Sequence, residues 1–133
     1  MKKPSLHFTD LELLKTIQKE YVEAYLGRGD QKERFYIQID CKLIAEKMKV
    51  DKELVFQRLY THLEKRHGYK NDDGSNVHFF ALRVGDKINC INYPYLCAIL
   101  ANMEDEKKEL RITQIFAVVS IVISIIALVF EGG

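Results

Sequence analysis

The sequence contains no tryptophan, and it has only two prolines and three cysteines among 133 residues. Three cysteines cannot all pair within one chain and none share a CxxC spacing, so neither a disulfide framework nor a zinc ribbon is expected. The formal net charge is only +1, from 20 basic and 19 acidic residues. This balance excludes a chain that coats nucleic acid by excess positive charge. A hydrophobic content of 47% excludes wholesale disorder.

Motifs that indicate catalysis or metal binding are missing as well. The sequence holds no GxxxxGK(S/T) phosphate loop, no GxSxG nucleophile elbow and no HxxxH spacing among its four histidines. The part of the chain outside its long apolar run leaves little room for a substrate cleft. We therefore expect no enzymatic activity, no cofactor, no metal site and no small-molecule substrate.

One long apolar run is present. Residues 112–130 read ITQIFAVVSIVISIIALVF and contain no charged side chain. At about 1.5 Å per residue, a helix of this length reaches roughly 28 Å, close to the thickness of the hydrocarbon core of a bilayer. A buried core helix is the alternative, but a chain this short cannot surround such a helix on every side. The run therefore predicts a transmembrane helix.

Basic residues flank this run on its N-terminal side only. Lys107, Lys108 and Arg111 precede it, whereas Glu131 follows it. Because positive charge prefers the cytoplasmic side of a membrane, we expect the preceding residues to lie in the cytoplasm. The charge pattern thus predicts a single-pass protein of the inner (cytoplasmic) membrane.

The predicted layout has four parts and is that of a tail-anchored protein. No apolar core of a signal peptide follows the basic first residues, so the N-terminal part is expected to remain where it is made. The parts are a cytoplasmic domain over residues 1–94, a juxtamembrane helix over 95–111, the transmembrane helix over 112–130 and a short tail over 131–133.

Small residues recur along the predicted span. Ala117, Ser120, Ser124 and Ala127 follow one another at steps of three, four and three. This spacing places them on one face of a helix, where a second helix can approach closely. Chance placement of common residues is the alternative, and the regular spacing slightly favours helix packing and a homodimer.

The sequence before the apolar run alternates between helical and strand patterns. Thr9 and Glu12 form a Thr-x-x-Glu capping box at the start of a helix that ends at Gly27. Gly85 and Asp86 join two runs of β-forming residues as a hairpin turn. The other predicted elements are a strand over 34–40, helices over 41–49 and 51–66, a polar loop over 70–76, strands over 77–84 and 87–93, and one long helix over 95–130.

Residues 44–69, IAEKMKVDKELVFQRLYTHLEKRHGY, carry a resemblance to a known family. The Ile-Ala-Glu start, the turn at Val50 and Asp51, and the Leu-Glu-Lys end before Gly68 resemble the two-helix motif of winged helix-turn-helix domains. The most similar type is that of bacterial regulators of the MarR type. The predicted order of helix, strand, helix, turn, helix, strand and strand is also that of the family. The resemblance implies an α+β fold, in which a winged helix-turn-helix precedes the long C-terminal helix.

The sequence departs from the family pattern at three places. The third helix is one residue longer than the common pattern, and Lys49 occupies a turn position often held by glycine. The loop before the hairpin carries Asp72 and Asp73 with only Lys70 to offset them. Two carboxylates would be repelled by phosphates there, so this loop argues against DNA binding.

The resemblance nevertheless implies one function, a membrane-tethered DNA-binding transcriptional regulator. In such proteins the third helix enters the major groove. Gln and Arg suit contacts to base edges, and Lys suits contacts to phosphates. The candidate DNA-binding residues on this helix are Lys52, Gln57, Arg58, Thr61 and Lys65.

The near-neutral charge favours a different function, a membrane-anchored interaction module. In this hypothesis the domain docks a protein partner, or a second copy of itself, at the inner face of the membrane. Tyr60, Tyr69, Tyr93 and Tyr95 are candidate exposed contact residues, because tyrosine is enriched in interface cores, although packing under the wing is an equal alternative. A small phage or plasmid membrane effector ranks last, because the folded part is larger than such a role needs.

Overall fold

The computed structural model describes residues 3–28 and 35–132. It shows a mixed α+β region with small antiparallel sheets, followed by a long apolar helix, and this much of the prediction is confirmed. The chain divides into two compact units, Met1–Leu100 and Ala101–Gly133. The helices are α1 (Asp10–Leu26), α2 (Cys41–Met48), α3 (Lys52–Gln57), α4 (Glu64–His67) and α5 (Tyr93–Glu131), and the strands are β1 (Tyr36–Gln38), β2 (Tyr69–Lys70), β3 (Asn76–Val77), β4 (Phe80–Val84) and β5 (Lys87–Asn92).

Side-chain caps fix the starts of the first helices. The hydroxyl of Thr9 accepts a hydrogen bond from the Glu12 amide at 3.1 Å, as the capping box predicts. Asp40 caps α2, because its carboxylate accepts from the amide of Leu43. Asp51 caps α3 in the same way through the amide of Leu54. Each carboxylate or hydroxyl satisfies an amide that has no partner inside its helix.

The predicted third helix consists of three consecutive segments. A π-helical segment, Arg58–Leu63, lies between α3 and α4. Val55, Leu59 and Leu63 are fully buried although they are spaced four apart. In a regular α-helix such a stripe drifts by about 40° per step, because 3.6 residues make one turn. The wider π turns offset this drift, so that the buried stripe stays on one face of the helix.

A three-stranded antiparallel sheet has the strand order β1-β5-β4. The hairpin of β4 and β5 is confirmed, with Val84 paired to Lys87 across the two-residue turn. Gly85 has φ 62°, which suits glycine at the first central position of such a turn. The predicted start of β1 at Arg34 lies outside the described residues, as does the last residue of the predicted tail, Gly133.

The prediction of one strand over residues 77–84, preceded by a loop over 70–76, was wrong in part. The loop is closed by a second small hairpin, in which Tyr69 pairs with Val77 and Lys70 with Asn76. The long strand is interrupted between β3 and β4. The physical reason is a carboxylate, since Glu64 binds the backbone amides at the start of β4 in place of a neighbouring strand.

Helices and strands both contribute side chains to the core of the first unit. Helices α1, α2 and α3 supply aliphatic side chains, and the hairpin supplies the two phenylalanines at its start. The first turns of α5 complete the core through Leu96 and Leu100. The largest fully buried side chains include Leu13, Leu14, Ile17, Ile44, Val55, Leu59, Leu63, Phe79, Phe80, Ile91 and Leu96.

Helix α5 begins two residues earlier than predicted. The side-chain oxygen of Asn92 accepts from the Tyr95 amide at 3.3 Å, so Asn92 acts as the N-cap. Pro94 then lies in the first turn, where a missing amide hydrogen costs nothing. Further along, α5 is long and apolar enough to cross a membrane, and none of its most apolar window is buried.

Candidate interaction surfaces

Four of the five predicted DNA-binding residues are exposed on the third helix. Lys52, Gln57, Thr61 and Lys65 all have exposed side chains. The Thr61 hydroxyl donates to the carbonyl of Gln57 at 2.6 Å, within the helix itself. The structure therefore leaves two ammonium groups and one amide available along this helix.

Arg58 differs from these four residues because its guanidinium is already engaged. Its Nη1 atom donates to the carboxylate of Asp10 at 2.9 Å and to the Phe8 carbonyl at 3.1 Å. The guanidinium also lies 4.4 Å from the centre of the Phe8 ring. The second oxygen of Asp10 lies 3.3 Å from Nε2 of His62. Arg58 thus joins the third helix to the start of α1, and base contact would require it to leave these partners.

Glu64 organises the start of the hairpin, and the sequence did not reveal this role. One carboxylate oxygen accepts from the amide of Phe79 at 2.6 Å and from that of Phe80 at 3.2 Å. The other oxygen lies 2.9 Å from Nδ1 of His78. A Cβ atom on Gly68 would approach both oxygens within about 3 Å. The same Cβ atom would lie only 2.7 Å from the backbone carbonyl oxygen of Glu64, so a larger residue at position 68 would force a shift of backbone as well as of this carboxylate.

Two of the four tyrosines proposed as contact residues are exposed. Tyr60 and Tyr69 present large exposed fractions, whereas Tyr93 is buried with 2% exposure and Tyr95 is half-buried. The prediction that Tyr93 is exposed was wrong. Its hydroxyl donates to the carbonyl of Gln18 at 2.7 Å, so burial leaves no polar atom unpaired.

The two inner tyrosines are held by their hydroxyl groups. Tyr95 donates to the carbonyl of His67 at 2.9 Å, and the ring of Tyr93 stacks on that of Tyr25 at a centroid distance of 4.5 Å. Burial raises the pKa of both Tyr93 and Tyr95. Both side chains therefore remain neutral donors and serve to pack the start of α5.

The hairpin of β4 and β5 exposes three apolar side chains. Leu82 is 43% exposed, Val84 36% and Ile88 50%. The neighbouring loop carries exposed Asp72 and Asp73. Hydrogen bonds from the hydroxyl and the amide of Ser75 lower the pKa of Asp73, so that it stays ionised. The surface of the hairpin and its neighbouring loop therefore mixes apolar, acidic and basic side chains, because Arg83 is exposed and pairs with Ile88, and Lys87 pairs with Val84.

Two of the three cysteines have thiols of low reactivity. Burial raises the pKa of Cys41 to about 11, and burial also raises the pKa of Cys90. Both thiols are therefore protonated at neutral pH and are poor nucleophiles. Within residues 3–28 and 35–132, no three His, Cys, Asp or Glu side chains lie close enough together to hold a metal ion.

The second unit presents its predicted residues along one helix. The three basic residues that precede the apolar run are exposed, as are the four small residues within it. The Ser124 hydroxyl donates to the carbonyl of Ser120 at 2.9 Å, which satisfies its polar group without a second helix. These residues are Lys107, Lys108, Arg111, Ala117, Ser120, Ser124 and Ala127.

Comparison of the chain with protein-family models, with curated proteins and with solved structures gives no significant match.

Proposed function

We propose that the protein is a membrane-anchored interaction module, whose first unit docks a protein partner or a second copy of itself at the inner face of the cytoplasmic membrane. The exposed apolar residues of β4 carry this proposal. Leu82 and Val84 are both exposed and lie on one face of β4, since they are two residues apart in a strand, and neighbouring water-exposed apolar groups are typical of contact sites. Exposed Tyr60 and Tyr69 add side chains of a kind enriched in interfaces.

The apolar half of α5 supports the membrane part of the proposal. Its most apolar window has a mean hydropathy of 2.7 and no buried residue, so it lacks the protein surroundings of a core helix. A bilayer provides an apolar environment for such a helix. The basic side chains at Lys107, Lys108 and Arg111 favour a cytoplasmic location for the residues before the run.

The hairpin is tested by photo-crosslinking in membranes that contain the full chain. A photoreactive amino acid at Lys87, which pairs with Val84 and shares its face of the hairpin, should give a discrete crosslinked product. The same group at Glu12, exposed on α1, should not. Changing Leu82 and Val84 to Ser should abolish the product, because it removes the apolar contact area. If position 87 gives no product, or if the product survives the double substitution, this face of the hairpin is not the docking surface.

Orientation and helix packing have separate tests. A reporter active only in the cytoplasm should work when fused before residue 3 and fail when fused after residue 132. Activity at the C-terminal fusion would contradict the proposed topology.

Ser124→Leu should reduce self-association in the membrane by blocking close approach of the helices, whereas Ile125→Leu, its neighbour, should not.

A membrane-tethered winged-helix DNA-binding regulator is the second candidate. The order of elements and the exposed Lys52, Gln57, Thr61 and Lys65 favour it. The full chain in detergent should then bind random duplex DNA with an affinity that falls steeply with salt. Lys65→Ala should weaken binding, and Lys19→Ala, an exposed lysine on α1, should not. No binding at low salt would exclude this candidate.

A further inference from the structure

An open groove lies where the N-terminal segment crosses the turn between α2 and α3. Its volume is about 670 Å³. The segment is fixed by two backbone hydrogen bonds, one from the amide of Ser5 to the carbonyl of Lys49 at 2.9 Å and one from the amide of Asp51 to the carbonyl of Ser5 at 3.2 Å. These bonds form a parallel bridge between Ser5 and Val50. The groove is thus built by backbone pairing and lies wholly within the first unit.

Four ammonium groups surround this groove. Lys3, Lys42, Lys49 and Lys52 line it and are exposed, and among the described residues none of the four forms an ion pair. Two acidic residues, Glu46 and Asp51, also line it, so the four lysines exceed the carboxylates by two charges. The groove is therefore positively charged within a chain whose total charge is +1.

The floor of the groove is apolar. Ala45 and Val50 are buried beneath it, and the ring of Pro4 forms part of its wall. Lysine side chains also contribute aliphatic stems beneath their charged ends. A ligand that fits this lining carries negative charge beside hydrocarbon.

We propose that this groove binds the phosphate headgroups of anionic phospholipids in the membrane that anchors the chain. The inference rests on the proposed membrane anchor, which keeps the first unit close to a lipid surface. A phospholipid offers a phosphate next to glycerol and acyl carbons, which matches lysines above an apolar floor. A DNA backbone offers the phosphate without that hydrocarbon. The groove thereby holds the first unit against anionic bilayers in addition to the anchor.

The absence of tryptophan allows a direct test on the full chain. Pro4→Trp places a single fluorophore at the groove, and Asp72→Trp places one on the exposed loop before β3 as a control. Each variant is reconstituted into vesicles that contain brominated acyl chains, made either of phosphatidylcholine or of phosphatidylcholine mixed with phosphatidylglycerol. Quenching at position 4 should be stronger in the anionic vesicles, and quenching at position 72 should not depend on lipid charge.

Charge substitutions and salt test whether the lysines cause the effect. Each ammonium removed should lower the docked-to-undocked ratio about fivefold, since one basic residue near an anionic surface contributes about this factor. Lys42→Gln, Lys49→Gln and Lys52→Gln combined should therefore return quenching to its value in neutral vesicles. The matched control removes three exposed lysines outside the groove, Lys19, Lys65 and Lys70. It should retain the response, which added salt should weaken.

Three results would overturn the inference. Equal quenching at position 4 in neutral and anionic vesicles would show that lipid charge plays no part. An equal loss in the control triple variant would show that only net charge matters. A change in emission on adding duplex DNA but not on adding anionic lipid would assign the groove to nucleic acid. Failure of the anchor is distinguished by flotation, because a chain without an anchor does not float with neutral vesicles.

Discussion

The two units of the molecule use the same residue types in opposite ways. Ile44 in the first unit has no exposed surface, whereas Ile121 in the second is 60% exposed. In the first unit, helices and strands cover one another's apolar faces. In the second unit, the apolar side chains surround a single helix on all sides and have no protein cover. An apolar residue thus contributes to a core only where tertiary neighbours exist, and elsewhere it requires another apolar environment.

The largest expected change in the free energy of unfolding comes from comparing the same substitution, isoleucine to alanine, in the two units. Ile44→Ala should lower the free energy of unfolding by about 2–5 kcal/mol, because it leaves a cavity in the core. Ile121→Ala should change it by less than about 0.5 kcal/mol, because no protein packs around that side chain. The measurement is urea unfolding of the full chain in mild detergent, followed by the near-ultraviolet signal of the buried tyrosines. Equal losses would show that the apolar helix packs into a core.

A charged residue introduced into the apolar run should impair membrane insertion without affecting the folding of the first unit. Ile121→Lys should disfavour membrane insertion by about 2.5–3.5 kcal/mol, the cost of lysine at the centre of a span. Leu110→Lys, just before the run, should have little effect because it lies beside Arg111. Membrane fractionation measures insertion, and urea unfolding should show both variants with an unchanged first unit. Full retention of Ile121→Lys in membranes would contradict the span.

Glu64 tests how the first unit holds its hairpin. Glu64→Ala should cost about 1–3 kcal/mol, because it leaves the amides of Phe79 and Phe80 without their acceptor. Lys65→Ala changes the next, exposed residue and should be near neutral. Urea unfolding gives both values. Similar stabilities for the two variants would mean that water replaces the carboxylate at no cost.

Lys49 offers a stabilising change at the turn before α3. This residue has φ 58°, in the left-handed region that glycine occupies at little cost. Lys49→Gly should therefore raise the free energy of unfolding by about 0.5–1 kcal/mol. Lys47→Gly, inside α2, should instead lower it by about 1 kcal/mol. Thermal unfolding would contradict this account if both variants shift the midpoint in the same direction.

The smallest effect concerns pH and His67. Burial, and then the charge of Arg66, lower the pKa of His67 below its ordinary value of 6.5, while Asp10 opposes this and His62 adds to it. The unfolded chain then binds a proton more readily than the folded one, so stability should fall as the pH is lowered through 6.5. His67→Gln should flatten this dependence, and His7→Gln, an exposed position, should not. Urea midpoints on both sides of this pH give the measurement.

Local sequence signals predicted much of the fold. Thr9 caps α1, and Gly85 turns the hairpin, because each acts on backbone groups a few residues away. The contact of Glu64 with the amides of Phe79 and Phe80 was not predicted, since it joins residues about fifteen apart in the chain. The start of α5 also differs from the prediction, because it depends on residues far away in the chain. Its first residue, Tyr93, is buried beside Gln18 and Tyr25.

The candidate surfaces, too, could be predicted from the sequence only in part. The sequence indicated the exposed positions 52, 57, 61 and 65, because they lie off an apolar stripe of known period. It did not indicate that Arg58 binds Asp10, nor that Lys3 and Lys42 line one groove. Each of these pairs depends on how separate elements pack against one another.

The sequence by itself determined the helix caps, the hairpin turn and the apolar run, because these follow from neighbouring residues and from their period. Only the tertiary structure decided which charged groups are paired and which remain available to bind. Asp10 engages Arg58, and Ser5 pairs with Val50 beside the groove lysines, which form no ion pair among the residues that the structure describes. The physical reason is that the energy of a charge depends on the groups placed beside it, and packing alone brings those groups together.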